Sequence, residues 1–144
     1  PDLPNVMGVT PLMAASGIGY GNGSSRAGVQ ALGPDPEANA LAVIEMLVNA
    51  GADVNARITD TSSRTAIIAR PSAMTEREGQ TAIFGTISRG WPRVAKLLLE
   101  QGARVDITDA KGRTLRDALE GKAGGRDDPA SPEVRQVLAA ALDR

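Results

Sequence analysis

The chain has 144 residues, 42% of them hydrophobic, with 16 Lys and Arg against 17 Asp and Glu and a net charge of −1. That is the length of a single domain, and its near-neutral charge gives no electrostatic case for nucleic acid or an acidic membrane surface. The absence of Cys excludes disulfides and thiolate metal sites, and the absence of His removes the commonest general base and metal ligand. With one Phe, one Tyr and one Trp, the core has to be built from Leu, Val, Ile and Ala, which suits close helix-on-helix packing. No apolar run reaches the ~18 residues needed to span a membrane. The compartment stays open: a Cys-free chain fits either redox environment. The start at Pro1 rather than Met suggests that an upstream segment, with any targeting signal, has been removed.

Residues 1–7 read as the tail of a preceding connection. Thr10 and Pro11 open a helix, the first as cap and the second at the position where its missing N–H is harmless. Gly17 to Pro36 is rich in Gly, Ser and Pro and predicts a loop. Glu37 to Asn49 is a helix with Leu41, Ile44, Leu47 and Val48 on one face, which Val43 and Met46 widen; Gly51 stops it. Asp53 to Ala56 is predicted extended. Arg57 to Thr75 predicts a short strand or irregular loop. From Gly79 the pattern runs without interruption to Asp109. A Gly-x-Thr turn opens it, a helix carries Ile83, Phe84 and Ile87, a Gly90-Trp91-Pro92 break follows, and a second helix points Val94, Leu97 and Leu98 inward. A third, degenerate copy opens at Gly112-Arg113-Thr114, passes through a polar loop over 120–131 and closes with Pro132 to Leu142.

These segments repeat. Gly-x-Thr recurs at Gly8, Gly79 and Gly112, the last two 33 residues apart, and Gly-Ala closes a helix pair at Gly51 and at Gly102. Measured against the uninterrupted unit, the first carries 20 extra residues between its helices and 18 after them. The resulting division is a repeat over 8–56 with an insertion at 17–36, an insertion over 57–75, a repeat over 76–108, and a degenerate capping repeat over 109–144.

The period and the motifs GVTPLMAAS, VIEMLVNAGADVNA and GQTAIFGTISRGWPRVAKLLLEQGARVDITDAKG together resemble the ankyrin repeat family. The long insertions are similar to a bacterial variety of it. The resemblance implies an all-α solenoid of stacked helix-turn-helix repeats with hairpin or loop connections. It also implies protein–protein interaction through hairpin tips and inner helices, without catalytic machinery. The partner-binding residues it picks out are Gln80, Ala110, Lys111 and Arg113 at the tips and Ser88, Arg89 and Trp91 at the inner-helix end. With Arg89, Lys111 and Arg113 on one side, the concave rim would be basic. The chain departs from the family's Thr-Pro-Leu-His at its last position, with Met13 and Phe84 in place of His, so an imidazole network between repeats cannot form.

Other chemistry finds little support. The Gly-rich run Gly17 to Gly23 lacks the preceding strand, the following helix and the Lys-Ser/Thr of a phosphate cradle. Asp127-Asp128 and Asp106 with Asp109 are carboxylate pairs without a histidine, and Asp109 reads better as a turn residue. Ser62, Ser63, Ser72 and Thr75 have no adjacent base. Arg57, Arg64, Arg70 and Arg77 border or occupy the second insertion and suit either solvent or an acidic partner. No catalytic, cofactor or metal site is expected. The expected partner is a protein, not nucleic acid or membrane, bound by a monomeric fragment of a longer chain. The alternative is a structural appendage that stacks on an upstream domain.

Overall fold

The computed structural model describes residues 1–5, 8–18, 33–59, 77–122 and 129–144. They form six helices: α1 (Pro11–Ala15), α2 (Pro36–Asn49), α3 (Ala82–Arg89), α4 (Pro92–Glu100), α5 (Leu115–Leu119) and α6 (Pro132–Leu142). Within each successive pair the two helices pack on one another, and each pair packs on the next. One layer is α1, α3 and α5; the other is α2, α4 and α6. Among the described residues an isolated antiparallel bridge joins Thr108 and Thr114. The core between the layers is aliphatic, with Leu12, Ile44, Ile83, Val94, Leu98, Leu115, Val134 and Leu138 almost fully buried.

Each helix of the first layer starts at a Thr in extended conformation, and the third helical residue decides how well that start is capped. In α1 the Thr10 hydroxyl accepts from the Met13 N–H at 3.3 Å, and the Met13 sulfur accepts from the Thr10 N–H at 3.5 Å. In α5 the same reciprocal box is made with Asp117, whose carboxylate accepts from both the Thr114 N–H and the Thr114 hydroxyl. In α3 the third residue is Phe84, an apolar core side chain, and the Thr81 hydroxyl is buried with no hydrogen-bond partner among the described residues. Gly90, at φ 69°, ends α3 in the left-handed conformation.

The second layer is fastened between units. Trp91 precedes α4 and offers no side-chain cap. The carboxylate of Glu37, from α2, does so instead, accepting from the Arg93 N–H at 2.6 Å and the Val94 N–H at 3.2 Å. Its other oxygen takes the Arg93 Nε at 3.0 Å, and Asp35 takes the Arg93 Nη2. A negative group at exposed helix N–H donors is favourable on both hydrogen-bond and dipole grounds. Asn55 plays a similar part lower down: its amide oxygen accepts from the Arg104 N–H and its amide nitrogen donates to the Gly102 carbonyl. In the first layer, Gly85 lets α3 approach the end of α1. A Cβ there would stand 2.6 Å from the Ser16 carbonyl oxygen, so any side chain forces the helices apart.

Two expectations change. Val43 and Met46 do not widen the buried face of α2; they are 42% and 64% exposed. Glu37, Glu45 and Val48 turn toward α4, and the 100° step per residue puts Met46 on the opposite side. The stretch from Asp53 turns rather than extends, because its carboxylate accepts from the Asn55 N–H at 2.8 Å and its carbonyl from the Ala56 N–H. The Gly-rich run beyond Ile18, Tyr20, Ser62, Ser63, Arg64, Arg70, Ser72, Thr75 and Asp127-Asp128 lie outside the described residues.

Thr81→Val is therefore expected to leave stability unchanged or raise it slightly, while Thr114→Val lowers it by about 1 kcal/mol, as measured by chemical denaturation. In the same assay Glu37→Ala should cost about 2 kcal/mol and Glu37→Gln distinctly less, since the amide retains an acceptor oxygen for the α4 N–H groups.

Candidate functional site

Three segments separated in sequence meet along one edge: the turn at 77–80, the last turn of α3 with the break after it, and the hairpin over 107–114. The hairpin is built on Asp109. Its carboxylate is fully buried, and one oxygen accepts from the Lys111 and Arg113 N–H groups at 2.9 and 3.0 Å. The other oxygen takes the Arg113 Nε at 2.7 Å. This is the turn role expected of Asp109. The hairpin then leans on the preceding unit through the Ala110 N–H, which donates to the Glu78 carbonyl at 2.9 Å. Gly79 makes that contact possible, since its φ is 81° and a Cβ would stand 2.7 Å from the Ala110 nitrogen. Arg57 adds a bond from its Nη1 to the Thr108 carbonyl.

From the 77–80 turn, Arg77 reaches to the far end of α3, where its Nη2 donates to the Ser88 hydroxyl at 2.9 Å. The next residue, Arg89, lays its guanidinium over the Trp91 ring at 5.6 Å from the centroid. Arg77, Arg89 and Trp91 are half-buried and Ser88 is exposed. Arg89 also crosses to the first unit, where its Cγ would sit 2.5 Å from a Cβ placed on Gly17. The result is a continuous edge from Ala110, joined to Glu78 through the backbone, to Arg77 and Ser88, joined through their side chains, and on to Arg89 and Trp91.

Of the residues singled out from sequence, Ala110 and Lys111 are exposed on the hairpin, and Ser88, Arg89 and Trp91 stand together at the end of α3. Arg113 is half-buried and bound to Asp109, so it shapes the hairpin. Gln80 is not at a tip. Its side chain is 1% exposed, because the 79–80 backbone pairs with Ile58: the Ile58 N–H donates to the Gln80 carbonyl and the Gly79 N–H to the Ile58 carbonyl. Neither amide atom of Gln80 has a hydrogen-bond partner among the described residues. Phe84, equally suited from sequence to core or contact face, is core at 3% exposure. The contribution of Arg77 to this edge was not separable from the other insertion arginines in sequence. Its position four residues before Thr81 was the only signal.

The family model of the ankyrin repeat matches residues 7–58, across α1 and α2. Residues 7–58 thus form an ankyrin repeat. No curated protein matches it. The all-helical layered architecture of the described residues is that of the ankyrin fold. Ankyrin repeats generally mediate protein–protein interaction and are generally non-catalytic. No helix among the described residues is long and apolar enough to cross a membrane.

Several exposed carboxylates of the ankyrin frame are held below their ordinary range. For Asp35 the cause is the Ala38 N–H and then Arg93; for Asp106 it is the paired Arg104; for Asp117 it is the Thr114 N–H. A carboxyl whose folded value is depressed stabilises the fold fully above its unfolded value, and that share is lost as pH falls through the folded one. Without His, the melting temperature should stay level from about pH 8 to pH 5 and fall below about pH 4, as followed by circular dichroism.

Proposed function

We propose that the chain is a non-catalytic recognition scaffold that binds a protein partner along the edge formed by the hairpin tip and the end of α3. The supporting observation is the continuity of that edge: Ala110 bonded to Glu78, Arg77 to Ser88, and Arg89 stacked on Trp91. Lys111, Ser88, Arg89 and Trp91 are then its contact residues, while Arg113 holds the hairpin in shape. Because Ser88, Arg89 and Trp91 are already held, by Arg77 and by each other, a partner docks without ordering them, which limits the entropic cost of association. Within this reading the chain is divided into a repeat over 8–56, a repeat over 76–108 and a capping repeat over 109–144.

A second reading, a structural appendage that stacks on another unit, draws on a different surface. Met46 and Val43 are exposed on the side of α2 turned away from α4. The Asp2 carboxylate accepts from the Asp53 N–H at 3.0 Å. Asn55 does the same to the Arg104 N–H in the matching Gly-Ala motif of the next unit. Asp2 thus stands to α1 and α2 as Asn55 stands to α3 and α4.

One experiment separates the two. The purified chain is used to capture partners, beside Arg89→Ala/Lys111→Ala and Met46→Glu, with circular dichroism melts as folding controls. The edge reading expects capture to be lost in the double variant and kept in Met46→Glu. Loss only in Met46→Glu would favour the appendage and defeat the edge.

A further inference from the structure

A second surface lies in the other layer, between α2 and α4. Val48 and Leu97, both half-buried, line a groove of about 240 Å³ together with Glu45, Asn49 and Gln101. Small-molecule pockets begin at about 300 Å³, so this groove leaves room for little more than one side chain. Glu45, Asn49 and Gln101 are exposed, and their side chains have no hydrogen bond or ion pair among the described residues. The charge here is one-sided. Asn49 is the last residue of α2 and Gln101 is the C-cap of α4, so the negative dipole ends of two helices come to the groove. Neither helix has a basic residue in its last turn to offset that end. At the opposite end of the same junction the carboxylates of Asp35 and Glu37 are matched by Arg93, whereas no cation of the described residues pairs with Glu45.

We propose that the groove between α2 and α4 receives one basic side chain, Lys or Arg, of a protein partner. Val48 and Leu97 take its aliphatic stem, and its charged head lies at the Glu45 carboxylate, with the amide oxygens of Asn49 and Gln101 as further acceptors. Charge complementarity selects this class. An acidic side chain is repelled by Glu45 and by both helix ends, and an apolar one takes three polar groups out of water without giving them a partner. The groove belongs to the second layer and the edge to the hairpin and the end of α3, so the inference does not depend on the edge reading.

The test uses the full chain and follows the side-chain NH2 signals of Asn49 and Gln101 by NMR at low salt. The probes are alternating Ala-Lys and Ala-Arg hexapeptides, with matching Ala-Gln and Ala-Glu hexapeptides beside them. A basic peptide should shift both signals saturably, and less at high salt, while the Gln and Glu peptides should leave them in place. Glu45→Gln should weaken the basic peptide about threefold to tenfold, and Asn49→Asp, which adds a negative charge, should tighten it about threefold. Circular dichroism melts check that both variants are folded. Equal shifts from the Gln peptide, or unchanged affinity in folded Glu45→Gln, overturn the site. Arg89→Ala/Lys111→Ala should bind the basic peptide as the parent chain does, and a loss there overturns its placement in this groove. If neither basic peptide moves the two signals, this inference falls, and the edge reading stands or falls separately on its own capture experiment.

Discussion

No helix in the first layer of this chain could hold itself together. The helices α1 and α5 have five residues and α3 has eight, well under the ~12–15 at which an isolated helix becomes even marginal in water. Each persists because the helices packed against it cover its apolar face. The same constraint acts in the second layer, where the nine-residue α4 starts at a Trp with no capping side chain. Glu37, more than fifty residues earlier in sequence, closes that start across the unit boundary. Stability therefore resides at the junctions between units, as expected of a quasi-one-dimensional stack.

The central unit illustrates the consequence. It has the most regular sequence pattern of the three, yet the least self-sufficient helix start. Met13 and Asp117 each return a bond to their capping Thr, and Phe84, buried in the core, cannot. Thr81 and the Gln80 amide are left buried without partners among the described residues, each at an unfavourable cost of roughly 1–3 kcal/mol. What offsets this is packing: Ile83, Phe84, Val94, Ala95 and Leu98 are almost fully buried, and Gly85 brings α3 against the end of α1.

The same junctions produce the candidate binding edge. Asp109 folds the hairpin, the Ala110 N–H leans it on the preceding turn, and that turn sends Arg77 along to Ser88. Structural bonds thus do the work of presenting Lys111, Arg89 and Trp91 in fixed positions. Some residues of suitable type are consumed in the process: Arg113 by Asp109, and Arg57 by the Thr108 carbonyl. The basic character of the rim is accordingly narrower than a count of its arginines suggests.

The sequence alone determined the all-helical class, the helix pairs and most of their ends, because these depend on local signals. Thr before Pro, glycine after an apolar run and 3.6-residue spacing act within a few residues. Asp109 as a turn residue and the placement of Arg89 and Trp91 together at one helix end were legible for the same reason; the contact of Arg89 with the Trp91 ring was not. Contacts between units were not. Nothing in the local pattern says that the backbone of Ile58 pairs with that of Gly79 and Gln80, that Glu37 caps α4, or that Met46 faces away from the neighbouring helix. Each depends on which side of an element meets the next unit, and that is fixed only when all the apolar faces are buried together. The tertiary structure therefore decided which polar groups hold the stack and which lie along the candidate edge.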